Sequence, residues 1–228
     1  MPFAFAPSPP PAAAIAGSAT RFPVRRIFCI GRNYAEHAAE MGASVDRGNP
    51  VFFCKPADAI VVDGADVPYP QATKELHHEV EMVAALHSGG IDIAEADALT
   101  HVFGYAVGLD LTRRDLQAIA KAKGMPWDTA KAFDHSAPLS PIRPAAEIGH
   151  PRSAALTLAV NGQLRQQSDI AQMIFNVPEM LARLSRLFEL KAGDLVFTGT
   201  PAGVGPLVRG DAVHAQLAGL TELRCRIA

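Results

Sequence analysis

The apolar runs of this chain are short, and glycine, proline or an Asp-Gly turn cuts them off. RRIFCI stops at Gly31, VFFCK at Pro56 and AIVV at Asp63-Gly64. Runs of that length suit strands, because a helix needs ten or more residues to bury a face. With 18 Gly and 18 Pro in 228 residues, the chain must turn often. The fold this predicts is β-rich α+β, a compact mixed-sheet domain with a few short helices. That length builds one substantial core, not two. Residues 1–22 are nearly uncharged Ala and Pro and suit an arm, leaving 23–228 as a single domain.

Lys and Arg number 21 against 23 Asp and Glu, a net charge of −2, with no long basic run. A dedicated nucleic-acid binder is therefore not expected. Cys29, Cys54 and Cys225 are an odd set without a CxxC pair, which points to a reducing compartment and, by default, the cytoplasm. No apolar run approaches the roughly 18 to 20 residues of a membrane span, and Pro9 to Pro11 stand where the apolar core of a signal peptide would be. Neither leader nor anchor is expected.

Local signals place the remaining elements. Asn33 is expected to cap a helix running to about Met41, with Gly42 as its stop and a loop from Ala43 to Asn49. Thr112 and Asp115 suggest a capping box opening a helix that ends at Gly124. Asn161-Gly162 between two strand-like runs is a hairpin turn. Asn176 and Glu179 cap a helix whose Val177, Leu181, Leu184 and Phe188 recur at helical spacing.

Chemistry-bearing residues stand out against this frame. In HHEVEMV, a strand would put Glu79 and Glu81 on one face with Cα atoms roughly 7 Å apart, where two carboxylates can grip one cation. A helix would bury Leu76, Val80, Val83 and Ala84 instead, and periodicity alone leaves both open. Asp110 ends an apolar run on the same parity as Gly104, Ala106 and Gly108. Either a ligand or a neighbouring strand fills the space those glycines leave. Three carboxylates without a Cys or His at metal spacing select a hard ion, Mg²⁺ or Mn²⁺, over zinc. His37 and Glu40 lie one helical turn apart, as in a base dyad, with Glu36 a competing partner. Arg114 can bind a carboxylate through two parallel hydrogen bonds. GTPAGVG, residues 199–205, fits neither a Walker loop nor a dinucleotide fingerprint, but it offers N–H groups and the Thr200 hydroxyl to an anion.

Taken in order, GRNYAEHAAEMG, FFCKPADAI, HHEVEM, GYAVGLDLTRRDLQ, KGMPWDTAKAFDHSAPLSP, NGQLRQ and GDLVFTGTPAGVGP resemble the fumarylacetoacetate hydrolase superfamily. The likeness runs from about Phe22 to the C-terminus and points to the short acylpyruvase and fumarylpyruvate hydrolase branch. The resemblance implies the strand form of HHEVEM and a compact β-rich fold assembled as a homodimer. It also implies Mg²⁺ or Mn²⁺ held by Glu79, Glu81 and Asp110. His37 and Glu40 match the pair on the family's lid helix, Lys131 its active-site lysine, and Arg114, Gln117 and Thr200 its substrate-carboxylate contacts. The larger N-terminal domain of true fumarylacetoacetate hydrolases has no counterpart here.

The reaction so implied is hydrolysis of a carbon–carbon bond in a 2,4-dioxo acid, fumarylpyruvate to fumarate and pyruvate, as in aromatic catabolism. His37, oriented by Glu40, would activate water, while the metal and Lys131 stabilise the pyruvate enolate. The alternative is oxaloacetate decarboxylation, which forms the same enolate without water. An alternative of another class is a non-catalytic binding module whose ion only holds the fold.

Overall fold

The computed structural model describes residues 3–40, 42, 48 and 50–228. Its centre is a six-stranded sheet in the order Arg143–Pro144, Val102–Leu109, Val80–Leu86, Asp194–Phe197, Arg26–Gly31, Val51–Lys55. Neighbours run antiparallel except Asp194–Phe197 with Arg26–Gly31, which are parallel. The strand-rich, helix-poor mixed-sheet fold expected from the turn residues is what the chain adopts.

Both faces of this sheet are covered, so its strands read as continuous apolar runs rather than alternating ones. Phe28, Ile30, Val80, Met82, Val107 and Leu109 pack on one face. Over them lie the antiparallel sheet Gln163–Asp169, Ala155–Val160, Ala212–Leu217, Thr221–Arg226 and the helix Val177–Leu187. Ile27, Cys29, Val83, Ala85 and Phe197 pack on the other face, where the N-terminal hairpin Ala12–Ala14 with Arg21–Pro23 contributes Ala13 and Phe22.

Several local readings have their structural counterparts. Asn161 and Gly162 take φ of 51° and 77° in the hairpin turn, and Asn176 with Glu179 forms a reciprocal capping box. Gly124 closes the helix Arg114–Lys123 in the left-handed region.

Other readings need correcting. Asn33 does not cap the helix Ala35–Glu40. Fully buried, its amide donates to Phe175 O (2.9 Å) and Thr198 O (2.8 Å), while its oxygen accepts from Phe175 N (2.7 Å). A polar side chain that deep must satisfy itself, and here it ties three distant segments together. Thr112 and Asp115 form no capping box either. Thr112 belongs to a short strand, and Asp115 accepts from Thr73 Oγ1 (2.5 Å) and Lys74 N (3.0 Å). Phe188 lies just past its helix and is 38% exposed, so it extends the apolar stripe only in part. The expected helix end at Met41 and, apart from Gly48, the loop from Ala43 to Asn49 lie outside the described residues.

Candidate active site

The segment around HHEVEM is extended, in two strands, Leu76–His78 and Val80–Leu86, with Glu79 between them. Register then does what spacing alone could not. Val80 pairs with Leu109 and Glu81 with Gly108, and Asp110 N donates to Glu79 O at 2.9 Å. Residues opposite one another in an antiparallel pair share a face, so Glu79, Glu81 and Asp110 converge, all buried, with ligand oxygens within 4.8 Å of one another. The glycines on that face are filled by protein. A Cβ on Gly104 would meet the Arg143 carbonyl at 2.2 Å, and one on Gly108 the Phe197 ring at 2.7 Å. Of the two readings of those glycines, close approach by neighbours is therefore correct.

Cations surround the three acids. Lys131, from the short helix Asp128–Lys131, places Nζ 2.7 Å from both Glu79 Oε2 and Asp110 Oδ2. Arg114 bonds Glu79 Oε1 and, at 2.6 Å, Gln117 Oε1. Burial alone would raise the Glu79 pKa, but Lys131 and Arg114 outweigh it and hold that carboxyl well below the usual range. Glu81 goes the other way. Burial, then Asp110 and Glu79, push it well up, and its one hydrogen bond among the described residues is from Gly199 N at 2.7 Å. Burial would lower Lys131, but Asp110 and Glu79 raise it, keeping the ammonium charged.

The residues fit a hard divalent cation. All three donors are oxygens, which suits Mg²⁺ or Mn²⁺, and Glu81 faces two other carboxylates without an ion pair of its own among the described residues. Asp110 Oδ1 is buried without a well-aligned hydrogen bond among the described residues, and Lys55 Nζ, 2.9 Å away, is its ion-pair partner.

The other expected site residues gather at the same cleft. His37, Arg114, Gln117, Lys131 and Thr200 line it with the three acids. His37 Nδ1 faces Glu40 Oε2 at 3.2 Å, and Glu40 Oε1 accepts from Gly203 N at 3.2 Å, docking the helix Ala35–Glu40 on the glycine-rich turn. The competing partner Glu36 is exposed. That turn follows Phe197 directly. Gly199, at φ 89°, passes so close to Asn33 that a Cβ would sit 2.7 Å from the Asn33 Cβ. Only glycine fits there.

Three contributors escaped the sequence reading. Lys55 is a second buried ammonium, bonded to the carbonyls of Leu111 (3.2 Å) and Lys131. Gln166 accepts from His78 Nδ1 (2.9 Å) and Val80 N (3.1 Å) and donates to Thr200 Oγ1 and Pro201 O (2.9 Å each). Arg32, at φ 62°, lines the cleft beside Gly31. A lysine following VFFC and a glutamine in a solvated-looking hairpin carry no local mark of burial. The positive φ of Arg32 likewise has no signature in its residue type.

The family described as Fumarylacetoacetate (FAA) hydrolase C-terminal matches residues 26–228. A curated relative, oxaloacetate tautomerase YcgM of Escherichia coli (strain K12), is 43% identical over 89% of this chain and 93% of its own. Oxaloacetate tautomerase FAHD1, mitochondrial, of Mus musculus is 42% identical over 89% of this chain and 91% of its own. Among solved structures, fumarylpyruvate hydrolase from Pseudomonas aeruginosa in complex with Mn²⁺ and pyruvate is 52% identical, with a TM-score of 0.97 over 100% of this chain and 99% of that one.

Proposed function

This chain belongs to the fumarylacetoacetate hydrolase family, and on that premise we propose that it acts on a 2-oxo acid at a divalent cation held by Glu79, Glu81 and Asp110. One observation carries the reading: three buried carboxylates meet in a cleft that also holds the His37–Glu40 pair and the Lys131 ammonium. The Pseudomonas protein seen with Mn²⁺ and pyruvate supports it. When bound, the cation supplies charge that favours the enol or enolate form of a 2-oxo group.

The chain's own residues supply the rest. Lys131 Nζ presents a fixed ammonium to negative charge developing beside Glu79 and Asp110. Thr200, held by Gln166, and the Arg114–Gln117 pair offer donors to the acid's carboxylate. A carboxylate has no proton to give, so His37 Nδ1–H donates to Glu40 and the Nε2 lone pair is left to take a proton. Glu40 then stabilises the imidazolium.

Among reactions that pass through an enolate, oxaloacetate tautomerisation or decarboxylation is the reading the curated relatives support, ahead of the hydrolysis expected from sequence. It asks His37 only to move a proton on carbon. Hydrolysis of fumarylpyruvate is the second reading. Whole-chain likeness to the Pseudomonas enzyme favours it, as does a dyad able to activate water. Purified protein with Mg²⁺ or Mn²⁺ separates them. Enol–keto conversion or CO₂ release from oxaloacetate, with fumarylpyruvate untouched, supports the first. Equal fumarate and pyruvate, at the higher kcat/KM, supports the second. No turnover of either overturns both and leaves a binding module. We extend the proposal to a cytoplasmic homodimer without nucleic-acid or membrane partners, which light scattering and cell fractionation test. Among the described residues no helix is long and apolar enough to cross a membrane.

A further inference from the structure

The cleft holds more positive charge than that reaction uses. Arg114, Gln117 and Lys121 follow at i, i+3 and i+7 on the helix Arg114–Lys123, so they share one face, and all three line the cleft. The helical rise carries Lys121 about 6 Å beyond Gln117 and about 10 Å beyond Arg114. Arg32, turned by its left-handed backbone, lines the same cleft.

No carboxylate among the described residues pairs with Arg32 or Lys121. Lys121 instead lies over the Trp127 ring, 5.3 Å from its centroid. Partial burial, then Arg114 and Arg32, lower its pKa, while Glu79 raises it. Phe53 and Trp127 line the cleft too, ring centroids 6.0 Å apart, with Lys131 Nζ 5.1 Å from the Phe53 centroid. Two cations that line the cleft outside any ion pair among the described residues, next to a flat apolar surface, are matched by a ligand that is apolar in its middle and anionic at its far end.

We propose that Arg32 and Lys121 bind the second carboxylate of a dicarboxylic 2-oxo acid whose chain lies along Phe53 and Trp127, so that the site selects diacids over monoacids of equal length. The inference deepens the proposed function and rests on its reading of the cleft as a 2-oxo acid site. The near end of the ligand goes to Arg114, Gln117 and Thr200, and the far end reaches the cation pair.

Trp127 is the chain's one tryptophan and lines the cleft, so its fluorescence reports occupancy. The full chain, loaded with Mg²⁺, is titrated with 2-oxoglutarate and with 2-oxovalerate, equal in length and differing in the terminal carboxylate. The wild type should bind the diacid about tenfold or more tighter, the size of a charge-assisted contact in a partly screened cleft. In a double variant, Arg32→Gln with Lys121→Gln, that ratio should fall toward one, with 2-oxovalerate affinity changed by less than about twofold. Calorimetry supplies the same ratio if the Lys121 change dulls the tryptophan signal. Equal binding of the two acids by the wild type overturns the inference alone, and so does a ratio that survives in the double variant. Failure of both acids to bind the wild type overturns the reading of the cleft as well.

Discussion

Replacing Glu81 with Gln tests whether the three acids exist to hold a cation. Their ligand oxygens lie within 4.8 Å of one another, so at an effective dielectric of about 20 each ionised pair repels by roughly 3 kcal/mol or more. Lys131 offsets this for Glu79 and Asp110, whereas Glu81 has, among the described residues, only the Gly199 N–H. Glutamine keeps that acceptor and removes the charge. With a chelator present, E81Q should therefore match the wild type or exceed it by up to about 3 kcal/mol in urea unfolding. Glu81 keeps its proton in the folded chain above the 4.5 at which the unfolded chain releases it. Metal-free wild type should thus lose stability as pH climbs from 4.5 through the raised folded value, and the gap to E81Q should widen over that window. Mg²⁺ or Mn²⁺ at 100 times its Kd should stabilise the wild type by about 2.7 kcal/mol, or about 5 to 11 °C in Tm. E81Q should show less than about a third of that shift by scanning fluorimetry. A variant that keeps the whole shift, or that is several kcal/mol less stable in chelator, refutes the reasoning.

His37→Ala should lower kcat on the accepted substrate by about 10² to 10⁴ while largely keeping the metal-induced Tm shift, since among the described residues His37 hydrogen-bonds Glu40 and not the three acids. Lys131→Met removes the ammonium that Glu79 and Asp110 share, leaving Arg114 and Lys55 as their remaining counter-charges. In chelator it should cost about 3 to 5 kcal/mol by urea unfolding, with Mn²⁺ narrowing the deficit. Asn33→Ala deletes three buried hydrogen bonds and should cost about 2 to 4 kcal/mol in the same assay. Gly108→Ala drives a methyl to 2.7 Å from the Phe197 ring, and overpacking of about 1 to 3 kcal/mol should appear even with metal bound.

The sequence by itself determined what depends on neighbours a few residues apart. Glycine and proline limit strand length, Asn161-Gly162 sets a hairpin, and Asn176 with Glu179 closes a capping box, because these follow from backbone angles and hydrogen bonds within one turn. Alternation along a strand likewise puts Glu79 and Glu81 on one side once the segment is extended, and helical spacing brings His37 to Glu40.

The tertiary structure alone decided who meets whom across the fold. Glu79 lies opposite Asp110 because Val80 pairs with Leu109, a register no local rule supplies. Asn33, Thr112 and Asp115 carry good capping signatures, yet burial and competing donors send Asn33 and Asp115 to distant partners and Thr112 into a strand. Lys55 and Lys131 become the acids' counter-charges only because a buried ammonium must find anions, and packing of remote segments supplies them there.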